Sequence, residues 1–238
     1  IDPKRLKNIP VMYLYATSDG SMWLGYRSVL AKYDTNGQLV KEYPIRNEHG
    51  GASISGFCES RNHEIIISVW NGRVYHLDKE KDEFIPYPDK MRSRNPTVMV
   101  QDNEQDYFWL ATWGDGVVRF DPSAPGDSMF VYSEIPVNAA GEEDGLILSL
   151  AQDDKLGYIW LTTGHDFMAL QIQPDRTLKQ LKFPAGLLPV NHMLVEVLKG
   201  KECLWVSAFD RPSFILHLMD NITKDYALPA LADRVNRS

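Results

Sequence analysis

One motif returns five times along this chain. A bulky residue, an apolar residue and a small residue follow one another at Trp23-Leu24-Gly25, Ile66-Ile67-Ser68, Trp109-Leu110-Ala111, Trp160-Leu161-Thr162 and Trp205-Val206-Ser207. The copies begin at 23, 66, 109, 160 and 205, in steps of 43, 43, 51 and 45 residues. Residues on a strand alternate between its faces, so the bulky and small members share one side and the central Leu, Ile or Val takes the other. A strand that is apolar on both sides has to be covered on both sides.

Around the copies the sequence reads as sets of four short strands. The first unit alternates over 11–17, turns at Ser18-Asp19-Gly20-Ser21, and continues in strands at 22–26, 30–34 and 39–43. The third reads 97–101, 108–112, 117–121 and 129–132; the fourth reads 146–152, 158–163, 168–172 and 178–183. The fifth reads 193–198, 203–208, 215–219 and 223–226. Asp34, Asp78 and Asp121 follow the last apolar residue of a third strand and are expected to cap the next turn through side-chain to backbone bonds. Fourth strands end in Tyr43, Tyr87, Tyr132, Phe183 and Tyr226, aromatics expected in the core or over an edge. A period of roughly 40 to 50 residues made of short strands specifies the blades of a β-propeller. The expected fold is all-β: one propeller segment over 1–238, part of a larger propeller. It has five blades of four antiparallel strands, near 11–46, 52–88, 96–135, 145–184 and 192–228.

Composition narrows the function classes. The 238 residues are 44% hydrophobic and 24% charged, a globular balance. No run approaches the ~18 apolar residues that span a bilayer. A net charge of -7, from 25 Lys+Arg against 32 Asp+Glu, opposes a nucleic-acid binder, which presents a basic face. Cys58 and Cys203 fall in different blades and read as reduced core thiols, not a disulfide. The start, Ile1-Asp2-Pro3-Lys4-Arg5, is no signal peptide and lacks Met, so the chain is expected to be cut from something longer.

Three segments carry a resemblance. Asp-Gly-Ser-Met-Trp-Leu-Gly at 19–25, Phe-Trp-Leu-Ala-Thr-Trp-Gly-Asp-Gly-Val-Val-Arg-Phe-Asp at 108–121 and Tyr-Ile-Trp-Leu-Thr-Thr at 158–163 resemble the two-component regulator propeller repeat. Unit two departs from it with Ile66 in place of Trp, and unit five lacks the Asp-Gly before its core. In that family the repeats build the periplasmic sensor region of hybrid two-component histidine kinases, ahead of a β-sandwich, a transmembrane helix and the kinase. Many such sensors detect oligosaccharides and switch on polysaccharide-utilisation genes. The resemblance therefore implies a periplasmic sensor segment that is not itself an enzyme. Its implied partners are an oligosaccharide, the remaining blades and downstream modules of the receptor, and a second copy in a homodimer. No nucleic acid and no direct membrane contact are implied.

Blade topology sorts the loops onto two faces. The first-to-second turns, Asp19-Gly20, Asn62-His63 and Asp153-Asp154-Lys155, read as plain polar turns on one face. The second-to-third turns and the inter-blade connections share the other face, and they are richer. The candidate ligand-binding residues there are Arg27, Trp70, Arg94, Trp113, Asp115, His165, Asp166, His192, Asp210 and Arg211. An aromatic ring stacks on the apolar side of a pyranose while charged and amide groups take its hydroxyls, so this mixture suits a sugar. The same patch would also suit a protein partner.

Catalytic signatures are missing from the sequence. It contains no HExxH, Cys-x-x-Cys, Gly-x-Ser-x-Gly or P-loop, and its six histidines show no metal-ligand spacing. No catalytic residue, metal or cofactor is therefore expected. A docking platform and a propeller lyase or hydrolase are the competing readings.

Overall fold

The computed structural model describes residues 11–26, 28–47, 50–70, 73–88, 91–92, 95–138, 140–153, 157–163 and 166–181, and the backbone of 190–198, 201–208 and 214–217. Strand follows strand in antiparallel meanders. Sheet 1 is β1 (Tyr13–Ala16), β2 (Met22–Tyr26), β3 (Val29–Tyr33) and β4 (Leu39–Pro44). A short hairpin, β5 (Arg46–Asn47) with β6 (Gly50–Gly51), leads to sheet 2: β7 (Ile54–Glu59), β8 (Ile65–Val69), β9 (Val74–Asp78) and β10 (Glu83–Pro86). Sheet 3 is β11 (Pro96–Gln101), β12 (Phe108–Thr112), β13 (Val117–Phe120) and β14 (Phe130–Tyr132). Sheet 4 is β15 (Ile147–Asp153), β16 (Tyr158–Thr163), β17 (Phe167–Ile172) and β18 (Leu178–Leu181). Sheet 5 has three described strands, β19 (Val190–Leu198), β20 (Lys201–Ala208) and β21 (Phe214–His217).

Where five four-stranded blades were expected, the described residues form four four-stranded sheets and one of three strands. The strand expected over 223–226 lies outside the described residues. Met129, expected to open the last strand of sheet 3, closes a 3-10 turn over Gly126–Met129 instead. Pro125 and Gly126, the latter at φ +54, turn the chain there before extended backbone resumes.

Contacts divide the chain into two compact units, with the division running through sheet 3. One comprises Ile1–Gln101, Gln105–Leu110 and Phe120–Phe130; the other comprises Asp102–Glu104, Ala111–Arg119 and Val131–Ser238. In the first unit, Trp23, Leu30, Tyr43, Phe57, Ile65, Ile67 and Val69 form one buried cluster between sheets 1 and 2. Trp23 lies 5.8 Å from Phe57 and 5.5 Å from Tyr43, ring centre to ring centre. Gly25 shares that side: a Cβ there would lie 3.1 Å from Tyr13 Cβ and 3.6 Å from Ile54 Cδ1. The small member thus lets the second sheet approach, while Leu24 turns to the opposite side with Ala31 and Tyr33. In the second unit, Trp160 stacks on Phe167 at 5.5 Å and Ile159, Leu161 and Thr162 are buried around it.

The expected aspartate caps form. Asp34 Oδ1 accepts the amides of Asn36 and Gln38, Asp78 Oδ1 those of Glu80 and Lys81, and Asp121 Oδ1 that of Ser123. Cys58 is free and buried, and burial pushes its thiol up to about 11.

Candidate functional site

Of the candidate ligand-binding residues, Trp70, Trp113, Asp115 and Asp166 are described with their side chains. Arg27, Arg94, His165, Asp210 and Arg211 lie outside the described residues. His192 was expected in a connection but lies within β19, opposite Ser207, because that strand begins at Val190 and bulges before 192. Trp70, whose amide donates to Ser53 O at 2.8 Å, belongs to the first unit; Trp113, Asp115 and Asp166 belong to the second.

A threonine shapes each of the two turns that present an aspartate. Thr112 ends β12; its hydroxyl donates to Gly116 O at 2.8 Å and accepts the Asp115 amide at 3.1 Å. Thr163 ends β16, and its hydroxyl accepts the Asp166 amide at 2.9 Å. Gly114 and Gly116, at φ +123 and +68, take the left-handed backbone that the first turn needs. The connection after sheet 3 folds against this hairpin. The amides of Gly114 and Gly116 both donate to Gly145 O, at 2.8 and 3.3 Å, and Trp113 bridges to Leu146. Trp113 stands 51% exposed on this braced turn, with the half-buried Asp115 two residues away. An exposed ring and a nearby carboxylate offer a stacking surface and an acceptor for paired hydroxyls.

A second constellation lies at the opposite turns, within the first unit. A pocket of about 550 Å³ is lined by the first-to-second turns of sheets 1 and 2 and the third-to-fourth turn of sheet 2. Its carboxylates are engaged. Asp19 accepts from the Thr17 hydroxyl at 2.6 Å and from the Ser21 amide and hydroxyl at 2.9 and 3.0 Å, and Lys32 stands 3.5 Å away. The Thr17 and Ser21 bonds hold its carboxyl down at about 2. Burial works against ionisation of Glu59, but bonds from the Ser18 hydroxyl and amide, at 2.6 and 2.7 Å, and from His63 outweigh it and keep its carboxyl low. Asp82 is held low by Lys41 at 2.6 Å and by the Tyr43 hydroxyl at 2.8 Å.

Ser18, Glu59 and His63 look like a nucleophile set but do not form a proton relay. Ser18 Oγ and Glu59 Oε1 both meet the same imidazole nitrogen, Nδ1, at 2.9 and 3.0 Å. A relay needs the base to take the hydroxyl proton on one nitrogen while the acid holds the other. Among the described residues no three His, Cys, Asp or Glu side chains are grouped to hold a metal, and no helix is long and apolar enough to cross a membrane.

The turns at Asp19-Gly20 and Asn62-His63, expected to be plain polar turns, help line this pocket. The sequence signal for it is a recurring buried polar residue at or just past the end of the first strands of sheets 1 to 4: Thr17, Ser60, Asp102 and Asp153. Thr17, Ser60 and Asp153 each stand opposite the residue two before the bulky motif position.

No family model and no curated protein matches the chain. Solved structures do resemble it. PorZ, a surface component of the type-IX secretion system of Porphyromonas gingivalis, matches with a TM-score of 0.67 and 15% identity over 87% of this chain and 32% of that one. The Dos1 propeller matches with a TM-score of 0.63 and 12% identity over 92% of this chain and 57% of that one. A protein described as the extracellular domain of hybrid two-component system BT3049, from B. thetaiotaomicron, matches with a TM-score of 0.59 and 20% identity over 82% and 26%. The chain thus spans about a third of PorZ and about a quarter of the BT3049 domain. With the four-stranded meanders described above, these likenesses make the fold a β-propeller.

Proposed function

We propose that this chain is a segment of the periplasmic sensor region of a hybrid two-component histidine kinase. It senses or relays an oligosaccharide that controls polysaccharide-utilisation genes. In this reading the segment has no catalytic role, needs no cofactor or metal, and is completed by further blades, downstream modules and a second receptor copy. One observation carries it: Trp113 is half exposed beside Asp115, on a hairpin braced by Thr112 and by Gly145. Braced turns hold an aromatic platform in place before the ligand arrives, which lowers the ordering cost of binding. The likeness to a hybrid two-component extracellular domain supports the same reading at the level of fold.

The test is isothermal titration of the folded chain with a panel of oligosaccharides, repeated with Trp113→Ala. Saturable heat that the substitution removes is the expected result. A folded chain silent to the whole panel would make the segment a scaffold. A docking platform is the second reading, favoured by the exposed Leu14 and Val40 of the first sheet, at 66% and 57%, and by Met12 just before it, at 68%.

A further inference from the structure

The pocket between the turns of sheets 1 and 2 has no part in the sugar reading, and its donors and acceptors do not balance. Its acceptors, Asp19, Glu59 and Asp82, are each occupied by two or more donors. Two donors are left over. Lys79 lines the pocket with no partner among the described residues. Trp23 also lines it, is 2% exposed, and its buried Nε1 has no hydrogen-bond partner. A buried donor left unmet costs about 1 to 3 kcal/mol, so an acceptor supplied from outside is favoured there.

Comparison between sheets shows which acceptor fits. In sheet 4, Trp160 Nε1 points to Asp153 Oδ2 at 3.5 Å, and Asp153 pairs with Tyr158, two residues before the Trp. In sheet 1 the same register brings Thr17 opposite Ser21, two residues before Trp23, with the Thr17 amide donating to Ser21 O at 2.9 Å. Thr17 spends its hydroxyl on Asp19 and on Ser21 O, and it brings no carboxylate to the indole. Sheet 1 therefore lacks the carboxylate that sheet 4 carries, and has an open pocket beside the vacant position.

We propose that this pocket binds a small carboxylate, which accepts from Trp23 Nε1 and pairs with Lys79. Charge limits the ligand to a single negative charge: the lining sets Asp19, Glu59 and Asp82 against Lys32 and Lys79, with His63 beside them and Lys41 bound to Asp82, so Lys79 is the one lysine left to pair with it among the described residues. A more highly charged anion would meet the three carboxylates without added compensation. The Trp23 ring is 2% exposed, packed by Tyr43, Phe57 and Phe84 with Lys32 Nζ 5.4 Å over it, so it leaves no face for a sugar to stack on. Ile65 and Leu77 supply apolar lining for the carbon end of the ligand.

The test is an NMR titration of chain labelled with ¹⁵N at its six tryptophan indoles, using sodium acetate at constant ionic strength, with inorganic phosphate, glucose and sodium chloride as the other arms. Acetate should move the Trp23 indole signal saturably and ahead of the other arms. Lys79→Ala should weaken that response about tenfold. Thr17→Asp should shift the Trp23 signal without any acetate and abolish the titration. A Trp23 signal that stays still in folded wild-type chain, or that responds better to phosphate, glucose or chloride than to acetate, overturns the proposal. It stands or falls separately from the sugar reading, which concerns different turns.

Discussion

Trp109 has no exposed surface, and neither do its neighbours Leu110 and Ala111, so its removal leaves a hole that cannot collapse cheaply. Trp109→Ala should cost about 3 to 5 kcal/mol in denaturant unfolding, whereas a loss under about 1 kcal/mol would place the ring outside the core. Asp19 makes a different kind of contribution. Its folded carboxyl sits near 2, below the ordinary value of about 3.9, so its stabilisation is present above about pH 4 and fades as pH falls toward 2. The group is 57% exposed, and solvent screening holds this contribution under about 1 kcal/mol. Asp19→Asn should therefore lower Tm slightly at pH 7, and the gap from wild type should close near pH 2. A gap that persists in acid would mean the side chain acts through packing instead of charge. Single residues with local partners were legible in the sequence: an Asp after a third strand caps the turn it opens. The buried polar position at Thr17, Ser60, Asp102 and Asp153 was not, because three residue types share one structural place and only strand register reveals it.

At the scale of elements, β2, β12 and β16 fall where apolar alternation and turn residues predict them. The bulges do not announce themselves. Register shifts between Ile54 and Gly56, Ile147 and Ser149, and Val190 and His192, at the same place in three first strands. A bulge adds a residue to one strand without changing its composition, so periodicity carries no mark of it. It is also why His192 sits in a strand. The hairpin carrying Trp113 and Asp115 was visible in sequence as a Gly-flanked aromatic turn. Its brace was not, because Gly145 lies 31 residues from Gly114 along the chain. The pocket under Thr17 was missed for the same reason: Ser18 and Glu59 are 41 residues apart and meet only once two sheets pack. A Cβ at Gly145 would lie 2.3 Å from the Gly114 carbonyl oxygen, a backbone atom that has to move. Gly145→Ala should cost about 1 to 3 kcal/mol by thermal unfolding and loosen the Trp113 turn. An unchanged Tm would show that the connection does not brace the hairpin.

Across the whole molecule the repeat does two jobs. Its alternating motif gives each sheet two apolar sides to cover, and the turns between strands are left free to vary. Function on such a fold belongs to the turns, since the strands are committed to packing. The net charge of -7 opposes nucleic acid as a ligand. The central claim is that the Asp115 turn is a binding element and not a structural one. The Asp115 amide bond to Thr112 belongs to the backbone and survives loss of the side chain. The deciding measurement pairs Tm with oligosaccharide titration for Asp115→Ala. The account predicts stability within about 0.5 kcal/mol of wild type and binding lost. Unfolding of the variant, or full-strength binding by it, would contradict the account.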